Sequence, residues 1–174
     1  ILYENLHDYQ KKRIADFISE KPSYQVRQSI IAIGNGGITG KSIDEATQTK
    51  FKFLPIATSD FIFAYTVERY GFIGGAGLIM LYGFLIMHLL SLNYKLKDEY
   101  FIKAAVSAVA LLIFIYVSVN IFMTIGFAPV VGIPLPFYSY GGSSFITFMC
   151  LFGILQNLLT FRFDKTNRFV KINF

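Results

Sequence analysis

A carboxylate stands at a sharp boundary in this sequence. Asp60 ends the polar run Thr58-Ser59-Asp60, and Phe61-Ile62-Phe63-Ala64 follows at once. Thr, Ser and Asp favour the residue before a helix, because their side-chain oxygens accept from the free N–H groups of its first turn. The run therefore predicts a helix starting at Asp60. A carboxylate there feels the positive end of the helix, which favours its charge, and partial desolvation, which opposes it. Such a group is either reactive, with a tuned pKa, or a cap without chemistry.

Other polar residues lie further along. Glu68 and Arg69 sit two turns into the same segment, where charges pair with one another or face a cavity. His88 and Asn120 interrupt apolar runs, as do Gln156 and Asn157, and interhelical hydrogen bonds are the expectation for such groups. Gly34 to Ser42 reads GNGGITGKS and superficially fits a phosphate-binding loop. That pattern needs glycine five residues before the Gly of Gly-Lys-Ser, and counting back from Gly40 gives Asn35. A tight glycine turn is the better reading, with no nucleotide site. The single Cys150 lies in an apolar run; it is a packing residue and permits neither an internal disulfide nor a multi-cysteine metal site.

These residues need elements to hold them. The 174 residues are 54% hydrophobic and 16% charged, against about 25% charged in ordinary soluble domains. Residues 70–94 and 104–161 carry no charge at all. An apolar stretch of about 20 residues crosses a bilayer, so the expected fold is an all-α integral membrane protein, a multi-span helical bundle with a large outer loop. The segments read as an extracytoplasmic loop over 1–60, a span over 61–92 that is clearly apolar from Gly71, a loop over 93–103, a second span over 104–128 stopped by Pro129, an outer loop over 129–144, a third span over 145–161 and a tail over 162–174. Gly71 and Gly75 form a small-xxx-small pair suited to close helix packing. Ser143 and Ser144 extend the third span.

The 93–103 loop and the tail are rich in Lys and Arg, which marks their side as cytoplasmic. Residues 1–60 and 129–144 then face outward. The excess of cations, net +5, follows the positive-inside rule, and a nucleic-acid partner is not expected. The 129–144 loop holds three prolines, three glycines, three serines and no charge. Irregular backbone of that kind survives at membrane depth only when packed in protein or lining a cavity, so it should fold back toward Asp60. Three spans make a thin bundle and the first residue is Ile1; the chain is expected to be part of a larger protein.

LHDYQKKRI (6–14), QSIIAIGNGGITGK (28–41), TQTKFKFLP (47–55), SDFIFA (59–64) and PVVGIPLPFYSYGGSS (129–144) resemble the C-terminal half of the SEDS family (shape, elongation, division and sporulation). The wording is closer to the elongation branch, RodA, than to the division branch, FtsW. The resemblance implies the C-terminal part of a ten-span SEDS fold in the bacterial cytoplasmic (inner) membrane. It implies a peptidoglycan glycosyltransferase that polymerises lipid II during elongation and rod-shape maintenance, releasing undecaprenyl diphosphate. A class B penicillin-binding protein transpeptidase is the implied partner, alongside membrane lipids. The essential aspartate of the family maps onto Asp60. The sequence departs from the family where Ile56 follows Phe53-Leu54-Pro55 in place of a common Glu, and where Glu68-Arg69 replaces a common Glu-Glu.

On that resemblance Asp60 is the expected catalytic residue, acting either as general base on the attacking sugar hydroxyl or as ligand of a divalent cation (Mg or Mn) at the diphosphate. No haem or nucleotide is expected. Candidate substrate contacts are Glu68, Lys41, Lys50 and Lys52, with Arg27 a further cation, and a wall formed by Ser139, Gly141, Gly142, Ser143 and Ser144, whose N–H groups can bind anionic oxygens. Two other readings compete: a flippase for the lipid-linked precursor, and a non-catalytic scaffold for a transpeptidase. A flippase needs access from both faces, and the suggestive residues cluster on one.

Overall fold

The computed structural model describes Lys11, Ala15 and residues 23–42, 59–96 and 100–172, with side chains to Thr160. The sequence suggests a short amphipathic helix over Tyr9–Ile18, of which only Lys11 and Ala15 are described, both helical; the small apolar cluster of Phe51, Phe53 and Leu54 closed by Pro55 lies outside the described residues. Among those residues the fold is all-helical. Helix α1 is Tyr24–Gly36, α2 is Ile62–Lys95, α3 is Tyr100–Ile125 and α4 is Gly142–Ile172. Three stretches are long and apolar enough to cross a membrane: Ile62–Lys95, Tyr100–Ile125 and Gly142–Thr160.

Helix α3 shows how the sequence sets the packing. Its buried residues are Ile102, Val106, Val109, Ala110, Ile113, Val117, Asn120, Met123 and Thr124. Steps of three and four keep them on one face, which packs against α2. Leu89, Leu96, Leu135, Phe148, Leu155 and Leu159 complete the core. Phe72, Met80, Leu81, Phe84 and Met87 point outward from α2, as expected of a helix in an apolar medium. The chain leaves α3 at Ile125, four residues before Pro129. Gly126 takes φ +85°, and the Phe127 N–H returns to the Phe122 carbonyl at 2.8 Å. This left-handed cap ends the helix ahead of the proline.

Helix α1 is a regular element in a region whose sequence reads as irregular. Its buried face is Val26, Ser29, Ala32 and Gly36, almost all small, so it approaches its neighbours closely. The Ser29 hydroxyl donates to the Thr124 carbonyl at 2.6 Å, tying α1 to the end of α3. A Cβ on Gly36 would lie 2.1 Å from the Val67 carbonyl oxygen, so only glycine fits there.

The Gly71–Gly75 pair also works differently from a simple packing motif. Gly75 is buried against Val67, but Gly71 takes φ +70°, ψ −169° and breaks α2 in two. The glycine turn after α1 fills that break. The N–H of Phe72 donates to Gly37 O at 2.8 Å, that of Ile73 to Ile38 O at 3.2 Å, and that of Lys41 to Glu68 O at 3.0 Å. Backbone groups freed by a kink are costly in an apolar layer unless re-paired, and here an earlier segment re-pairs them. The helix beyond Gly71 is about 36 Å long at 1.5 Å per residue, enough for a hydrocarbon core of about 30 Å.

Candidate functional site

The site is built where the start of α2 meets the 129–141 loop. Asp60 is half-buried in the turn before α2. The capping position belongs to Phe61, and no side chain caps the helix. The carboxylate is engaged elsewhere. The Ser59 hydroxyl donates to Asp60 Oδ1 at 2.9 Å. Oδ2 lies against Gly132, where a Cβ would stand 3.3 Å away, and Gly132 itself takes φ +75°. The acid therefore faces the loop rather than the N–H groups of its own helix.

Hydrogen bonds at four side chains, Ser139, Asn120, Tyr82 and Thr66, pin the loop to the bundle. Ser139 is buried; its hydroxyl donates to Ser59 O at 2.7 Å and accepts from the Leu135 N–H at 2.7 Å. Asn120 gives its two amide protons to Asp60 O at 2.9 Å and Ile133 O at 2.7 Å. The Tyr82 hydroxyl donates to Pro136 O. Thr66 Oγ1 and the Tyr138 hydroxyl share a hydrogen bond of 3.1 Å. Phe137 takes φ +63°, a strained state for a bulky residue. Its ring lies 5.1 Å from that of Phe152 and 5.6 Å from that of Phe148, so an aromatic cluster on α4 offsets the strain. An open recess of about 530 Å³ results, lined by Ile62, Tyr138, Ser139 and Tyr140.

The expected convergence of Asp60 with the Pro/Gly loop is thus present, and Ser139 is its hinge. The remaining wall residues serve the start of α4. Ser144 Oγ donates to Gly141 O at 3.0 Å, Phe145 N–H bonds the same carbonyl, and Gly142 and Ser143 are exposed. Glu68 is fully buried beneath Gly36. Lys41 sits in the turn docked at Gly71, its N–H on the Glu68 carbonyl, more than a helical turn along α2 from Asp60. Arg27 is exposed on α1. Lys50 and Lys52 lie outside the described residues. Among the described residues no group of three or more His, Cys, Asp or Glu is placed to hold a metal ion. One carboxylate still suits Mg²⁺ when substrate phosphates and water supply the other oxygens.

Sequence reasoning assigns Asn120 only a generic interhelical bond and passes over Thr66, Tyr82, Gly132 and Tyr138. The signal for Asn120 is available, because it is the polar member of an otherwise apolar helical stripe.

The fold and site define a multi-pass membrane protein with a carboxylate seated against an irregular loop at one end of its helices. The chain belongs to the FtsW/RodA/SpoVE family of cell-cycle proteins, whose profile matches residues 1–163. It is 64% identical over 163 residues to peptidoglycan glycosyltransferase MrdB of Helicobacter pylori, covering 94% of this chain and 43% of that protein. It is 40% identical over 162 residues to MrdB of Escherichia coli K12, covering 90% and 44%. Among solved structures, a chain from work on the structural coordination of polymerization and crosslinking by a peptidoglycan synthase complex matches with TM-score 0.63 and 29% identity, over 88% of this chain and 42% of that one. The chain thus spans less than half the length of these relatives.

Proposed function

We propose that this chain forms the C-terminal part of a RodA-like peptidoglycan glycosyltransferase that polymerises lipid II on the outer face of the bacterial cytoplasmic membrane. The observation that carries the reading is the seating of Asp60. Its carboxylate is held by Ser59 and packed against Gly132, and Ile62, two residues on, and Ser139, bonded to the Ser59 carbonyl, line an open recess. The names of its relatives point to the same activity.

The reaction joins a sugar hydroxyl of one substrate to the anomeric carbon of another. Asp60 takes the hydroxyl proton as the new C–O bond forms. The bond from the anomeric carbon to the lipid diphosphate breaks, and undecaprenyl diphosphate leaves. The Ser59 hydrogen bond occupies Oδ1, so Oδ2, on the Gly132 side, is the oxygen offered to that proton. If a divalent cation serves the diphosphate, Asp60 is its ligand on this chain and the cation would neutralise charge on the leaving group. The solved relative belongs to a synthase complex that couples polymerization to crosslinking, which supports a class B penicillin-binding protein as partner.

The test uses the complete gene product in detergent with purified lipid II. Asp60→Asn removes the base while keeping shape and hydrogen bonding, and should lower polymerisation by 10²–10⁴-fold without loss of folded protein. Chelator followed by Mg²⁺ or Mn²⁺ should abolish and restore wild-type turnover if Asp60 also ligates a cation. Normal polymer length and rate from Asp60→Asn would end the proposal.

A further inference from the structure

Asn120 is completely buried in the apolar stripe of α3, yet it lies at the junction of the three segments that build the site. Its Nδ2 donates both protons, one to the Asp60 carbonyl at 2.9 Å and one to the Ile133 carbonyl at 2.7 Å. These carbonyls belong to Asp60 itself and to the neighbour of Gly132, so they flank the contact between Asp60 Oδ2 and Gly132. Both partners are acceptors, so the amide has a single orientation, with Oδ1 turned away. Oδ1 is buried without a hydrogen-bond partner among the described residues. A buried unpaired acceptor is unfavourable, and apolar packing would serve the stripe better. The side chain therefore fits this position for its two donors rather than for packing.

From this geometry we infer that Asn120 is a positioning residue: a two-pronged clamp that fixes the Asp60 backbone and the Gly132 loop in one register. It touches neither substrate nor the reacting proton. Ser139 makes a parallel tie one residue earlier, to Ser59, so removing Asn120 should loosen the loop without releasing it. The inference rests on the reading of Asp60 as the base, because misplacing a catalytic group by about 1 Å can cost about 10²-fold in rate.

The experiment compares Asn120→Leu, which keeps the branched heavy-atom skeleton and removes both donors, with Asn120→Ser, which keeps one donor, and with Asp60→Asn, all in the complete gene product. Asn120→Leu should lower kcat on lipid II by about 10–10²-fold with KM within about threefold, and Asn120→Ser should fall between it and wild type. A second readout does not depend on activity. A spin label at Val131→Cys, with Cys150 and every other cysteine of the complete gene product replaced by Ser, should become more mobile when Asn120→Leu is added. Should Asn120→Leu fail to fold, Asn120→Ser carries both measurements. Wild-type kcat and an unchanged spin-label line shape in folded Asn120 variants, with Asp60→Asn inactive, would overturn the clamp and leave the base assignment standing. An active Asp60→Asn together with a loosened loop would overturn the base assignment and leave the clamp.

Discussion

At the scale of single residues, the site depends on what glycine and serine allow beside a carboxylate. Gly132 combines φ +75° with a Cβ position 3.3 Å from Asp60 Oδ2. Gly132→Ala should therefore strain the loop backbone and push the carboxylate aside together. On the proposed function, turnover of lipid II should drop by roughly tenfold or more, with a smaller effect on thermal stability in detergent. Gly77 is the control, since a methyl group there would have nothing within 4 Å; Gly77→Ala should leave the rate unchanged and favour the helix slightly. Tyr82→Phe removes the donor to Pro136 O, and the orphaned carbonyl should cost about 1–3 kcal/mol of stability, measurable as a lowered unfolding temperature. Asp60 itself is legible in the sequence, because a polar-to-apolar switch at Ser59-Asp60-Phe61 is a strong local signal. Its partners are not. Gly132, Asn120 and Asp60 are far apart in the chain, and no local pattern records that Asn120 reaches two carbonyls.

Among the elements, α2 is the one whose behaviour departs most from its sequence. Its apolar run and its length are readable, and so is the abrupt beginning near Asp60. The break at Gly71 is not, because a glycine in an apolar helix ordinarily signals close packing. What distinguishes it is α1, whose turn supplies the carbonyls of Gly37 and Ile38 to the freed N–H groups. Helix α1 is hidden by the glycines around it and by its modest amphipathicity, since the face it buries is made of small residues. A Cβ on Gly71 would lie 2.3 Å from Ile38 O, and the residue sits at φ +70°. Gly71→Ala should thus undock the turn, lower the unfolding temperature of the complete gene product and expose residues 37–41 to protease. Equal protection in variant and wild type would count against the joint.

For the whole molecule, the uncharged stretches make the membrane class plain, because no soluble arrangement hides so much apolar surface. Large apolar side chains remain outward on α2, α3 and α4, as helices in an apolar surround require. The orientation of the bundle is testable at this scale. Tyr140 and Tyr94 are both well exposed, 84% and 86%, and lie at opposite ends of the spans. In a background with Cys150 and every other cysteine of the complete gene product replaced, Tyr140→Cys should react with an impermeant maleimide in intact spheroplasts, whereas Tyr94→Cys should react only after the membrane is opened. The reverse labelling would place Asp60 on the cytosolic side and end the proposed outward-facing reaction.

The mended break in α2 has a bearing on biosynthesis. A discontinuous span is a poor substrate for insertion, since its bare amides meet hydrocarbon as it leaves the translocon. In this chain the patch, residues 37–41, is translated before the span that needs it, so the repair is already available when Gly71 emerges. Moving that patch to the far end of the gene, by circular permutation, would leave the nascent helix unprotected at its most vulnerable moment.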